Sequence, residues 1–290
     1  MDNITISEVS KVYKGGMTGL DHVSFSVGPG VFGLLGHNGA GKTTLMRAIV
    51  TNLRPTEGTI SVMGHDTRLE GNAVRRQIGY LPQELGMYDN LSVREFVRYM
   101  ALLKGVRDPA QVNRALEWVG MTESAKQKIG RLSGGMRRRV GIAQAMIGEP
   151  DVLVVDEPTA GLDPEERVRF RSVLSHYALN GRTVLLSTHI IEDVHQLCAR
   201  LAVLRKGKLF FCGNQEELMK KTAGKVKRVI LPDEAALARL MARVPVISTN
   251  YENGGILARV IDEEGAFPEP AESETLEDAY VYCMGGEMHA

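Results

Sequence analysis

The chain alternates short apolar runs with segments whose apolar residues recur at helical spacing. The runs Val31–Leu35, Val152–Val155 and Val184–Leu186 are apolar at nearly every position. Such runs are typical of strands buried on both faces of a parallel sheet. Because helical patterns separate them, the sequence predicts an α/β fold with a mostly parallel sheet.

The middle of the chain predicts helices and no strand. Ser92 to Glu95 form a capping box that opens an apolar-periodic run ending at Leu103. Ser133 precedes a second helical stretch, from Gly134 to Ile147. We therefore expect an inserted helical subdomain at about 84–148.

Four further apolar segments predict strands outside the parallel set, including those of an antiparallel β subdomain. These segments are Ile4–Val9, Val23–Val27, Thr59–Val62 and Leu201–Cys212. The tail then predicts strand, helix, two strands and helix, at Val226–Leu231, Asp233–Arg243, Val246–Thr249, Ile256–Ile261 and from about Glu274. This order predicts a small α+β extension.

Charge divides the chain where the patterns change. The 35 basic and 35 acidic residues cancel over the whole sequence, but residues 225–290 hold 6 basic and 12 acidic side chains. We predict a domain at 1–220 and an acidic accessory domain at 225–290, joined near Lys220–Lys225. The acidic surface of the second domain is expected to be solvated rather than a docking or regulatory surface.

Composition excludes several broad classes of protein. A balanced charge over 290 residues gives no general electrostatic case for binding nucleic acid, and none is expected as a partner. Cys198, Cys212 and Cys283 fit neither a disulfide framework nor a metal cluster. The first ten residues show no signal peptide, and no apolar stretch approaches the roughly 18 residues of a membrane-spanning helix. We expect a soluble, cytoplasmic protein.

A phosphate-binding loop follows the first buried strand. Gly36 to Thr43 fit the pattern G-x-x-x-x-G-K-T, and a predicted helix, Lys42–Val50, comes directly after it. Glycines let backbone N–H groups turn toward an anion, and the helix N-terminus adds its dipole. Lys42 would reach the β- and γ-phosphates, and the Thr43 hydroxyl would bind Mg²⁺. A chance match in a glycine-rich turn is the alternative.

Two carboxylates end the buried strand Val152–Val155. Asp156 and Glu157 lie where open α/β sheets hold their ligands, so Asp156 would bind Mg²⁺ and Glu157 would polarise the attacking water. Taken alone, the pair fits a solvated strand end before the turn at Pro158 equally well. The phosphate loop favours the catalytic interpretation.

Further short segments acquire meaning from their order along the chain. After the phosphate loop come Gln83, then Leu132-Ser133-Gly134-Gly135-Met136, the acidic pair, Gly161-Leu162-Asp163 and His189. Together these segments resemble the nucleotide-binding subunits of ABC transporters. The resemblance covers about residues 3–215 and uses six ordered motifs.

The resemblance implies a role for each matching residue. Tyr13 matches the aromatic side chain that stacks on adenine, Gln83 a residue that touches magnesium and reports the nucleotide state, and His189 the switch histidine at the γ-phosphate. Asp163 matches the dimer-interface aspartate, and the signature Ser133, Gly134 and Gly135 would bind the γ-phosphate held by another subunit. The nucleotide itself would be held by Gly36, Asn38, Gly39, Ala40, Gly41, Lys42, Thr43 and Thr44.

The family also implies cofactors and partners. ATP and Mg²⁺ would be sandwiched between this chain and a second nucleotide-binding subunit, identical or related, on the inner face of the membrane beneath a separate permease. The segments Leu81–Glu95 and Ser133–Ala143 look like the bacterial multidrug and bacteriocin-type exporter branch, so export is expected. Met136 stands where many relatives have glutamine. Arg137, Arg138 and Arg139 are expected to form a solvated helix face rather than a phosphate clamp.

Other functions remain open at this point. The same ATPase could serve an importer, in which the partner would also recruit an extracytoplasmic binding protein. A soluble ABC protein acting on DNA or ribosomes would need long coiled coils or a second cassette, and neither pattern is present. A phosphate-loop kinase would not explain Leu132–Met136 or His189.

Overall fold

The computed structural model describes residues 2–179, 181–252 and 254–285. By packing, the chain forms two compact units, Met1–Leu209 and Phe210–Ala290. This division falls within the strand Lys208–Asn214. The domain boundaries expected from composition, near Lys220–Lys225, stay a prediction.

Up to Asn214, the described part of the chain contains ten strands and seven α-helices. The strands are β1 Ile4–Val12, β2 Thr18–Val27, β3 Gly30–Leu35, β4 Glu57–Val62, β5 His65–Asp66, β6 Ile78–Leu81, β7 Val152–Asp156, β8 Thr183–Thr188, β9 Arg200–Arg205 and β10 Lys208–Asn214. The helices are α1 Lys42–Ile49, α2 Gly71–Gln77, α3 Val93–Leu103, α4 Pro109–Trp118, α5 Gly134–Met146, α6 Pro164–Tyr177 and α7 Ile191–Leu197.

The central sheet has the strand order β10-β9-β3-β8-β7-β6. Strands β6, β7, β8, β3 and β9 pair in parallel, as the apolar runs predict for β3, β7 and β8. Every residue of β7 and β8 is buried. Helices α6 and α7 pack against β3, and α1 packs against β7. This arrangement confirms the predicted α/β core.

The antiparallel subdomain is a second sheet, with the order β2-β1-β4-β5. Its strand β1 alternates in part between buried and exposed residues, as a sheet with one covered face requires. The inserted region contains α3, α4, a short 3₁₀ helix at Ile129–Arg131 and α5. The capping box at Ser92 and Glu95 is present, with both reciprocal hydrogen bonds.

One expectation for the edge of the sheet is wrong. The segment Leu201–Cys212 was predicted as a strand outside the parallel set, but it divides into β9 and β10 at a turn, where Lys206 has a φ of 48°. Strand β9 pairs in parallel with β3. Periodicity cannot reveal this pairing, because a buried strand has the same apolar pattern whichever neighbour it joins.

The second unit has an α+β fold, as predicted. It continues from β10 with α8 Gln215–Met219, a 3₁₀ helix at Lys220–Thr222, β11 Val226–Leu231, α9 Glu234–Met241, β12 Val246–Glu252, β13 Gly255–Ile261 and α10 Leu276–Cys283. The three strands form an antiparallel sheet with the order β11-β13-β12. One apolar cluster joins the sheet to α9, and another joins Val226, Ile247 and Ile261 to Val281 of α10.

Candidate active site

The candidate residues meet at the carboxyl edge of the parallel sheet. Strand pairing places Leu35 beside Thr188 and Asp156 beside Ser187, while Leu81 lies beside Val155. The segments that follow these strands therefore leave the sheet at the same level. They carry the phosphate loop, His189, Glu157 and Gln83, which is why residues far apart in sequence become neighbours.

The phosphate loop has the close backbone approaches that its glycines allow. Gly41 has a φ of 105°, and a Cβ on it would lie 2.6 Å from the carbonyl oxygen of Gly19. A Cβ on Gly36 would lie 2.6 Å from the carbonyl oxygen of Leu204. The loop leads directly into α1, whose N-cap is Gly41. It is therefore a compact backbone cradle at a helix N-terminus, which suits an anion.

Lys42 lies at the start of α1 with 4% of its surface exposed. Its ammonium group donates to the carbonyl oxygens of Gly36 (2.5 Å) and His37 (3.0 Å) and lies 3.3 Å from Oε1 of Glu157. Burial lowers the pKa of Lys42, and the Glu157 carboxylate opposes that shift. The cation is thus held within the loop where the anion would bind.

Glu157 is the point on which three side chains converge. Besides Lys42 at Oε1, Nε2 of Gln83 and Nδ1 of His189 each lie 3.4 Å from its Oε2. Glu157 is 6% exposed, so the alternative of a solvated strand end is excluded. Its backbone has a φ of 44°, a left-handed conformation that costs a non-glycine residue about 1–3 kcal/mol.

Asp156 is completely buried at the end of β7. The hydroxyl of Ser187 donates to its Oδ1, whereas its Oδ2 has no hydrogen-bond partner among the described residues. A buried carboxylate oxygen without a donor is costly unless it has another partner. This oxygen, with the partly buried Thr43 hydroxyl at the start of α1, gives hard oxygen donors suited to a divalent cation.

Tyr13 follows β1 and reaches the first turn of α1. Its hydroxyl lies 3.0 Å from Oγ1 of Thr44, and its ring is so close to Gly19 that a Cβ there would lie 2.7 Å from Cε2. The ammonium group of Lys11 lies 5.6 Å from the ring centroid. The ring is therefore beside the phosphate loop. Asn38 and Gly39 are exposed at the tip of the loop, and Ala40 is buried.

The signature residues lie on the surface instead of joining Lys42. Ser133 caps α5 by accepting a hydrogen bond from the backbone N–H of Met136, and Asp163 caps α6 by accepting from that of Glu166. Both caps are exposed, as is Gly134. A Cβ on Gly135 would lie 3.0 Å from the Glu166 side chain, which brings these two helix N-termini together.

Comparison with known proteins identifies the family of this chain. Residues 20–160 match the family model described as "ABC transporter". The chain is 34% identical to the Nod factor export ATP-binding protein I of Burkholderia thailandensis, over 98% of each chain. It belongs to the ABC transporter ATP-binding family.

A further relative and a solved structure support the same family. The ABC subunit is 37% identical to the daunorubicin resistance ATP-binding protein DrrA3 of Streptomyces coeruleorubidus, over 86% of this chain and 80% of that protein. A solved ATP-binding subunit of an ABC transporter aligns with a TM-score of 0.69 and 26% identity, over 76% of this chain and 93% of that structure. The protein is thus an ABC ATPase that binds ATP. In the described part of the chain, no helix is both long and apolar enough to span a membrane.

The expectation for the three arginines of this ABC ATPase is wrong at Arg138. Arg137 and Arg139 are partly exposed, but Arg138 is 8% exposed and bonds to backbone carbonyls. Consecutive helical residues point about 100° apart, so three arginines in a row cannot all face solvent on a packed helix. That geometry is the signal that the sequence interpretation missed.

Two further polar contacts behind the site were also missed. Ser187 accepts the backbone N–H of Glu157 at 3.0 Å and donates to Asp156. Thr159 donates to Asp193, which is 1% exposed. A polar residue inside a buried apolar strand was available as a signal for Ser187. No sequence spacing links Thr159 to Asp193, because α7 approaches only in the folded chain.

Proposed function

We propose that this ABC ATPase drives export through a separate transmembrane subunit, hydrolysing ATP at Glu157. The convergence of Lys42, Gln83 and His189 on the Glu157 carboxylate is the observation that supports the catalytic part. The names of the relatives, which concern Nod factor export and daunorubicin resistance, support export. The protein would then lie on the cytoplasmic face of the membrane.

We propose a task for each of these side chains. Lys42 leaves the loop carbonyls and neutralises the terminal phosphates when ATP enters the cradle, while Tyr13 supports the adenine ring. Glu157 then accepts a proton from the attacking water, a role that a buried carboxylate beside a cation can perform. Gln83 and His189 orient that water and the γ-phosphate, since both already lie at Oε2 of Glu157.

Magnesium fits the oxygen donors beside this cluster. Asp156, Thr43 and Gln83 would hold it, with Asp156 offering the Oδ2 atom that lacks a hydrogen-bond partner in the described chain. When bound, the ion neutralises charge on the phosphate oxygens.

A second copy, or a related subunit, would complete the site. Ser133, Gly134 and Gly135 form an exposed helix N-terminus on a 13-residue helix, which suits the γ-phosphate of ATP held by the partner. Asp163 lies at the neighbouring N-terminus of α6. This division of roles explains why these residues do not contact Lys42 within one chain.

The permease is proposed to dock on the helical insert. A groove of about 1040 Å³ lies beside α3, and its lining includes Tyr80, Phe96, Met100, Leu103 and Lys104. Leu103 is 65% exposed, and Leu102 and Tyr99 nearby are also exposed. The Lys104 ammonium lies against the carbonyl oxygens of Ile78 and Ile147, although much of the residue is exposed. Arg47, Arg75 and Arg76 also line this groove. An apolar groove with basic side chains suits an amphipathic, acidic segment of a permease.

Recovery of the native complex tests the transport proposal. The chain would be captured from its native membranes in mild detergent, and stoichiometric partners identified. We expect a multi-helix permease without an extracytoplasmic binding protein. Recovery with such a binding protein would replace export by import, and recovery with ribosomes or DNA would overturn the transporter proposal.

The substitution Leu103→Asp is expected to lower the amount of permease that co-purifies with the chain, because it puts a charge on the apolar rim of the groove. We expect the permease yield to fall about tenfold, equivalent to about 1.4 kcal/mol of association free energy. ATP hydrolysis by the isolated subunit should change less than about twofold, since Leu103 has no proposed role in binding or hydrolysing ATP. Leu69→Asp is the matched control, because Leu69 is 84% exposed and does not line the groove. Equal yields from the two variants would exclude this docking surface.

A further inference from the structure

The Arg138 guanidinium is surrounded by backbone carbonyl oxygens. Its Nη1 donates to the carbonyls of Gln83 (2.7 Å) and Pro82 (3.3 Å). Its Nη2 donates to those of Asp156 (2.8 Å) and Glu157, and its Nε to that of Pro158 (2.9 Å). One side chain thus contacts both segments that carry the proposed catalytic groups.

The two segments that carry Gln83 and Glu157 lie far apart in the sequence. Gln83 follows β6, and Glu157 follows β7, so their side chains meet only if the two strand ends keep a fixed offset. The Gln83 amide and the Glu157 carboxylate are 3.4 Å apart, which is a long hydrogen bond. The shorter bonds from Arg138 to both backbones fix the offset that this weaker side-chain contact needs.

The backbone of Glu157 also needs support. Its φ of 44° is disfavoured for a residue with a Cβ, so it persists only where surrounding contacts hold it. The N–H of Glu157 is held by the carbonyl and hydroxyl of Ser187, and its carbonyl is held by Arg138. Loss of Arg138 frees one side of this peptide, and the carboxylate can then turn away from Lys42.

Arg138 comes from the helix that begins at Ser133. Helix α5 is continuous from Gly134 to Met146, so a displacement of its N-terminus carries Arg138 with it. We infer that Arg138 is a positioning residue that holds Glu157 against Gln83 and Lys42, making hydrolysis in one subunit depend on the placement of its own α5. This inference rests on the proposed roles of Glu157 and Ser133.

Kinetics of Arg138 variants test the inference. We expect Arg138→Leu to lower kcat by about 10- to 100-fold, because misplacing a catalytic group by about 1 Å has an effect of this size. The KM for ATP should change less than about threefold, since Arg138 contacts no part of the phosphate loop. Arg138→Lys should rescue little of the rate, because an ammonium keeps the charge but not the planar fork that reaches five carbonyls.

Arg137 offers a matched control on the same helix. It pairs with Asp89 at 2.7 Å, is 30% exposed and donates to the carbonyl of Ile129. These partners belong to neither of the segments that carry Gln83 and Glu157. Arg137→Leu should therefore leave kcat within about twofold of the unsubstituted protein. Circular dichroism and nucleotide binding, measured on all variants, identify any that fail to fold.

A double-mutant cycle separates positioning from general structural support. If Arg138 acts through Glu157, adding Arg138→Leu to Glu157→Gln should lower the residual rate by less than about twofold. A full additional loss, or an equal loss of ATP affinity and kcat, would overturn the inference and assign Arg138 to stability alone. Unchanged kcat in Arg138→Leu would also overturn it. Failure of the proposed function is distinct, because then Glu157→Gln itself would leave the rate unchanged.

Discussion

Glu157→Gln is expected to abolish most ATP hydrolysis while ATP binding persists. An amide in place of the carboxylate cannot accept the proton of the attacking water, and general bases contribute about 10²- to 10⁴-fold in rate. Lys42 and the phosphate loop remain to hold ATP, so the ATP-bound dimer should accumulate. Phosphate release and size-exclusion chromatography with ATP would measure the two effects.

Glu165→Gln is the control for this variant. Glu165 is an exposed carboxylate at the start of α6 that pairs with Arg169. Its loss should change the rate by less than about twofold, because its ion pair with Arg169 lies on the surface of α6 and involves none of the groups that meet at Glu157. Hydrolysis by Glu157→Gln at the rate of the unsubstituted protein would refute Glu157 as the base.

The substitution Lys42→Met is expected to weaken ATP binding and, as a consequence, to slow ATP hydrolysis. The substitution removes the cation enclosed by the loop, and a hydrogen bond to a charged group is worth about 1.5–3 kcal/mol. ATP affinity should therefore fall by about 10- to 100-fold, and hydrolysis at limiting ATP should fall at least as much. Isothermal titration calorimetry with ATP, in the presence and absence of Mg²⁺, measures the loss.

Lys126→Met removes the same charge from the exposed surface of the helical insert. We expect unchanged ATP affinity in this variant, since Lys126 lies outside the phosphate loop. If both lysine variants lost affinity equally, net charge would be responsible, and the assignment of Lys42 would be wrong. The Lys42 variant should also fold, because methionine fills a similar volume in the buried loop.

Much of the fold follows from patterns that the sequence displays locally. The strand β11 has the predicted bounds, Val226–Leu231, and the capping box at Ser92 starts α3. The phosphate loop follows β3 and precedes α1 as expected. Each of these depends on side chains a few positions apart, so the sequence contains the information directly.

Other features depend on which elements become neighbours. Strand β9 joins β3 in parallel, and Arg138 is buried, although both were predicted otherwise. An apolar strand carries no record of its partner, and a run of arginines looks solvated until a sheet edge covers one of them.

The site divides in the same way. The residue types follow from the sequence alone: a cradle of glycines with Lys42, two carboxylates after a strand, and a serine at a helix N-terminus flanked by glycines. The meeting of Lys42, Gln83 and His189 at Glu157, in contrast, follows from the tertiary structure. The reason is physical. Strand order and register place four strand ends at one edge, and these are set by long-range packing, which no local spacing encodes.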